Sequence, residues 1–236
     1  MVTTDWLADE LGADDLVVLD CTIFLRMGDN GYISESGIAN FEEAHIPGAA
    51  FADLNEDLVD ATSKLRYAVP TPEHFGAAMA RLGVSDGTRV VLYDDNNSMW
   101  AARVWFMLRW IGFDNAALLD GGLKAWKAEG RDCDSGAPAP AAKPVGSITL
   151  DPRPRMIADK AEVLAAVGDG STCLIDSLPA PVFTGEMQPY KRPGHIPGAI
   201  NIAATSMVDA DSGCFKPAEE IRAMLPDRHE ARTVAY

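Results

Sequence analysis

Apolar residues fall in short runs separated by longer amphipathic stretches. LVVLD at 16–20, VVLY at 90–93, AALL at 116–119, CLID at 173–176 and TVAY at 233–236 are runs of four or five mostly aliphatic residues. Uninterrupted runs of this length, rather than alternating ones, mark parallel strands covered on both faces. Between them lie helix patterns. Residues 71–83 start with Thr71 as a cap and Pro72 in the first turn, and end at Gly83, an ordered set of start and stop signals. Segments 4–11, 100–110, 123–126, 159–167 and 216–225 read as further helices. Strands alternating with helices predict an α/β protein with parallel sheets carrying helices on both faces.

The pattern occurs twice. The first copy runs LVVLD (16–20), HIPGA (45–49), VVLY (90–93); the second runs CLID (173–176), HIPGA (195–199), TVAY (233–236). Asp20 and Asp176 each close a strand at its carboxyl end, where open α/β sheets place ligands. A Pro/Ala-rich stretch at 136–144 separates the copies and reads as a linker. The expected division is a first domain at 1–131, a linker at 132–155 and a second domain at 156–236. Copy one continues past Tyr93 through a loop, two helices and a strand, whereas copy two stops at Tyr236. Internal comparison therefore predicts that the second domain is incomplete in this chain.

Composition narrows the partners. The chain has 236 residues, 47% of them hydrophobic and 23% charged, with a formal net charge of −15. Such an acidic balance argues against a nucleic-acid partner. No apolar run reaches the ~20 residues of a membrane helix, and the first ten residues carry no signal-peptide pattern, so a cytoplasmic protein without a membrane partner is expected. Cys21, Cys133, Cys173 and Cys214 show no metal-ligand spacing with the histidines, so no metal is expected.

These landmarks resemble the tandem-domain rhodanese family, the thiosulfate and 3-mercaptopyruvate sulfurtransferases. The matching segments are EAHIPGA (43–49), YD (93–94), ARVWFMLR (102–109) and LDGGLKAW (119–126) in copy one. In copy two they are FTGE (183–186), RPGHIPGAIN (192–201) and GCFK (213–216). The resemblance implies a cysteine nucleophile directly after the second copy's last strand, hence directly after Tyr236. In copy one the matching position is Asp94, so that copy is expected to be catalytically silent. The implied reaction needs no cofactor. A thiolate takes sulfur from a small anionic donor, becomes a persulfide, and passes the sulfur to a thiol, a thioredoxin-like protein or cyanide. A free thiol with a pKa of about 8.5 is mostly protonated at neutral pH. Inward-pointing backbone N–H groups and a helix N-terminus would stabilise the thiolate.

Several residues carry two readings each. Asp176 either orients the active loop or bonds local backbone. Lys191 and Arg192 either attract the donor's anionic group or form a solvated pair. Arg66 and Tyr67 lie in a copy-one loop that in relatives reaches towards the site. Arg103 reads as a structural ion-pair partner, and the two HIPGA histidines as structural turn residues. Relatives usually carry an arginine where this chain has Val182, so another cation must meet the donor or the donor must differ. A non-catalytic rhodanese-like module, binding partners or carrying sulfur, is the alternative function.

Overall fold

The computed structural model describes residues 1–29, 31–138, 144–226 and 232–236; much of the stretch read as a linker, residues 139–143, lies outside them. The chain packs as two compact units. The first comprises residues 1–25, 34–154 and 210–214; the second comprises residues 26–33, 155–209 and 215–236.

In chain order the first part contains α1 (Thr4–Glu10), β1 (Leu16–Asp20), β2 (Ile23–Gly28), β3 (Gly31–Ser36), α2 (Ile38–Glu43) and β4 (Ala50–Phe51). There follow α3 (Pro72–Arg81), β5 (Arg89–Tyr93), α4 (Met99–Trp110), β6 (Ala116–Leu118) and α5 (Gly122–Ala128). Four strands form one parallel sheet in the order β4-β1-β5-β6. All five residues of β1 are buried, which is why that run does not alternate. Leu16 and Val18 of β1, Val91 and Tyr93 of β5, and Leu119, Leu123 and Trp126 join one core cluster on a single face.

Helix α3 starts as its sequence dictates: the Thr71 hydroxyl accepts the His74 N–H at 3.2 Å, with Pro72 in the first turn. Residues 146–153 run along the first unit. Gly146 N–H donates to Ala80 O at 2.8 Å, Asp151 N–H to Ile111 O at 2.9 Å, and Arg153 N–H to Trp110 O at 2.7 Å.

The second part contains α6 (Lys160–Ala166), β7 (Thr172–Asp176), α7 (Ala180–Thr184), β8 (Ile200–Asn201), α8 (Ala218–Met224) and β9 (Arg232–Ala235). Its parallel sheet runs β8-β7-β9, repeating β4-β1-β5 strand for strand. β6 has no counterpart among the described residues. A capping box sets the start of α6: Asp159 accepts the Glu162 N–H at 2.8 Å, and Glu162 accepts the Asp159 N–H at 2.9 Å. The core here is small, with Cys173, Ile175 and Ile202 buried and Met207 and Met224 packed against them. Among the described residues, no helix is long and apolar enough to cross a membrane.

Candidate functional site

The carboxyl ends of the two central strands carry one constellation, built twice. In the first copy Asp20 ends β1 and pairs in register with Tyr93, which ends β5. The Tyr93 hydroxyl accepts the Ile46 N–H from the HIPGA turn at 3.2 Å and hydrogen-bonds Asp20. Asp20 also accepts the Thr22 N–H at 2.8 Å. Burial lifts the Asp20 carboxyl to about 6, against the opposing pull of these hydrogen bonds.

In the second copy Asp176 ends β7, and Tyr236 follows β9 with its N–H donating to Ile175 O at 2.9 Å. The Tyr236 hydroxyl accepts the Ile196 N–H at 2.8 Å and hydrogen-bonds Asp176. Asp176 is buried and accepts the Leu178 N–H at 2.8 Å. The difference is exposure: Tyr93 is 0% exposed and Tyr236 37%.

The HIPGA histidines also match. His45 Nδ1 lies 2.7 Å from Phe41 O, and His195 Nδ1 lies 2.8 Å from Phe183 O. A carbonyl only accepts, so Nδ1 carries the proton in both. Each imidazole stacks on the ring of the same phenylalanine, at 3.8 Å for His45 and 3.7 Å for His195. Both are held as turn-fixing groups.

Asp94 follows Tyr93 directly and is 2% exposed. Its Oδ1 accepts the N–H groups of Asn96 at 3.0 Å and Ser98 at 2.9 Å. Its Oδ2 accepts those of Trp100 and Ala101, both at 3.0 Å. Four backbone donors at the start of α4 thus converge on one carboxylate. Ser98 adopts φ +63°, the left-handed region that side chains seldom occupy, to turn the loop inward. Gly122 is fixed by the same residue: a Cβ there would sit 2.4 Å from Asp94 O. Burial raises the Asp94 carboxyl despite the four hydrogen bonds. Such a ring of N–H groups at a helix N-terminus is an anion cradle, and in this copy the chain's own side chain fills it.

The residues singled out from sequence divide between the units. Asp176, Lys191 and Arg192 belong to the second; Arg66, Tyr67 and Asp94 belong to the first. Lys191 and Arg192 are exposed in the loop between Gly185 and Gly194. Met187 N–H anchors that loop to Pro181 O at 2.8 Å. Val182 is buried in α7, so its side chain offers nothing to an anion. Tyr67 donates from its hydroxyl to Ser34 Oγ, and its carbonyl accepts from Arg103. Arg103 therefore differs from the sequence expectation: among the described residues its partner is a carbonyl, not a carboxylate, because no acidic side chain reaches its half-buried position. The sequence pointed to Tyr93 and Tyr236 only as strand ends. Their hydroxyls were findable from the matched Asp/Tyr register.

All four cysteines are free thiols, and no cluster of potential metal ligands occurs among the described residues. Burial pushes the Cys21 thiol well up, away from nucleophilic use.

A duplicated parallel α/β unit, with a strand-end carboxylate tied through a tyrosine to a histidine-stacked turn, defines a protein of the tandem rhodanese type. The rhodanese-like domain family matches residues 3–129. The probable 3-mercaptopyruvate sulfurtransferase of Pseudomonas aeruginosa is 37% identical, covering 100% of this chain and 83% of that protein. The 3-mercaptopyruvate sulfurtransferase of Escherichia coli K12 is 33% identical, covering 95% and 77%. The crystal structure of SseA from Escherichia coli, a 3-mercaptopyruvate sulfotransferase, superposes with a TM-score of 0.85 at 30% identity, covering 100% of this chain and 87% of that one. This chain belongs to the tandem-domain rhodanese family of sulfurtransferases.

Proposed function

We propose that the protein moves a sulfane sulfur from a small anionic donor, 3-mercaptopyruvate or thiosulfate, to a thiophilic acceptor through a cysteine persulfide. The observation that carries this reading is the matched pair of strand ends. Tyr93 leads directly into a loop of converging N–H donors. Tyr236 stands in the same register, bonded through its hydroxyl to the same turn. The residue matching Asp94 is the one that follows Tyr236, and we propose a cysteine there. An equivalent loop would stabilise its thiolate, the persulfide and the approaching donor anion. The thiolate attacks the donor's outer sulfur, the bond to that sulfur breaks, and pyruvate or sulfite leaves. Cyanide, a small thiol or a thioredoxin-like dithiol then removes the sulfur.

Asp176 holds Tyr236 and the loop entry, while Lys191 and Arg192 supply the cationic character that Val182 lacks. The exposure of both cations supports that role, as does the arginine usual in relatives at the Val182 position. Arg66 and Tyr67 are proposed as further donor contacts, as in the resemblance, and a cytoplasmic setting suits the reduced cysteines.

Sequencing the codon after that of Tyr236, with steady-state turnover of the full-length product on each donor with cyanide, tests the reading. Cysteine and turnover are expected. Any other residue there, or no turnover with either donor, overturns it in favour of a non-catalytic module.

A further inference from the structure

An exposed loop of the second unit is clasped by a hairpin that the first copy's sequence supplies. Strands β2 and β3 form a two-stranded sheet of their own, and such a hairpin is marginal unless it packs on something. Its tip, residues 26–33, packs within the second unit. Gly31 lies at φ +107°, and a Cβ there would run into the Pro189 carbonyl oxygen. Tyr32 meets Tyr190 edge to face, with ring centroids 6.4 Å apart and planes at 70°, a favoured aromatic geometry.

The clasped loop runs from Gly185 to Gly194. Its ends touch: a Cβ on Gly185 would sit 3.2 Å from the Gly194 nitrogen, the closed form of a compact Ω-loop. The first half is tied down by the Met187 N–H on Pro181 O at 2.8 Å and by Gln188 Nε2 on Gly185 O at 3.3 Å. Between the two glycines Pro189 alone is buried, in a run of exposed residues. The hairpin therefore meets the loop at Pro189 and Tyr190, directly ahead of Lys191 and Arg192. Ordering an exposed lysine and arginine on binding costs side-chain entropy, and a swinging loop would add that of the backbone. A clamp on the two preceding residues removes the backbone share before a donor arrives.

We infer that the β2–β3 tip is a clamp on this loop, with Tyr32 as the positioning residue that holds Lys191 and Arg192 ready for the donor's anionic group. The role of the two cations rests on the sulfur-transfer reading; the clamp rests on geometry alone.

The test uses the full-length protein and two readouts. Trypsin cleavage of the Lys191–Arg192 bond reports opening of the loop without any donor. Steady-state KM and kcat, with 3-mercaptopyruvate or thiosulfate as donor and cyanide as acceptor, report positioning. Tyr32→Ala should speed cleavage at that bond about fivefold or more. It should raise the donor KM about 5–10-fold, the cost of ordering two long side chains on binding, with kcat held within about twofold. Tyr32→Phe keeps the ring and should restore both readouts. Gly31→Ala should push the hairpin off Pro189 and act as Tyr32→Ala does. In the Lys191→Ala/Arg192→Ala background Tyr32→Ala should move KM no further, whereas a merely structural role would add its own loss.

Unchanged cleavage and KM in Tyr32→Ala and Gly31→Ala overturn the inference. So does faster cleavage with KM unmoved, since the loop would then be held without serving the donor. Should Tyr32→Ala be cleaved throughout the chain rather than at that bond, it has unfolded and Gly31→Ala decides. Absence of turnover in the unaltered protein sinks the sulfur-transfer reading and the positioning role with it; turnover by Tyr32→Ala at the unaltered KM sinks this inference only.

Discussion

Replacing Asp94 with alanine should destabilise the first unit more than any other single carboxylate deletion. The carboxylate accepts four backbone N–H groups at 2.9–3.0 Å from a position 2% exposed. Each buried donor left without an acceptor costs about 1–3 kcal/mol. Water entering the vacated space recovers some of this, and the cost of burying the charge disappears with it. The net loss is therefore about 3–5 kcal/mol, the range for removing one partner of a buried charged network. At about 2–4 °C per kcal/mol for a domain of this size, the transition should fall by roughly 6–20 °C. The assay is calorimetry at pH 7, reading the transition of the first unit. Asp95→Ala is the internal control, since its carboxylate makes one partly exposed contact with Lys127 at 3.8 Å and should cost about 0–1 kcal/mol. If Asp94→Ala and Asp95→Ala shift the midpoint equally, the carboxylate does not hold the loop and the cradle argument fails.

Burial lifts the Asp20 carboxyl to about 6 in the folded chain, against 3.8 for a free aspartate side chain. The folded state thus binds a proton that the unfolded chain has already released, and stability falls as pH rises from about 4 to about 6, by about 3 kcal/mol. Asp94, also raised, adds a slope of the same sign. Asp20→Asn should flatten that part of the pH–stability curve, and an unchanged slope in urea titrations would contradict the assignment. Tyr93→Phe strips the acceptor from the Ile46 N–H at a fully buried site. It should cost about 1–3 kcal/mol, read as a drop in the denaturant midpoint. Arg89 donates from Nε and Nη2 to the two Asp15 carboxylate oxygens, both at 2.7 Å, meets Glu10 at 2.8 Å and lies over the Trp6 ring. Arg89→Ala should lower the denaturant midpoint slightly, a difference that shrinks in 1 M salt because the pairs are exposed.

What the sequence carried best was what is repeated in spacing and covered on both faces. The runs at 16–20 and 173–176 became the central strands β1 and β7, because burial on both faces leaves no polar position to confuse the pattern. The β2–β3 pair was not legible. Its residues are mostly half-buried or exposed, so no periodicity marks them. Helix α7 escaped as well, with five residues and one buried side chain. The histidine contacts escaped for another reason. His45 finds its phenylalanine four residues back, whereas His195 finds the equivalent ring twelve residues back. The contact repeats in space while its sequence separation does not.

The same distinction governs Asp94. Sequence matching marks it as the residue in place of a nucleophile, which describes only what the first copy lacks. The structure gives the residue a positive role. A loop of converging N–H groups must hold negative charge or leave its donors unpaired. A copy without a thiolate would have to rebuild that loop or bring its own anion. Asp94 does the second: its side chain reaches back into the cradle that its own backbone begins. On the proposed reading, a silent first copy and a retained loop would both follow from this one residue.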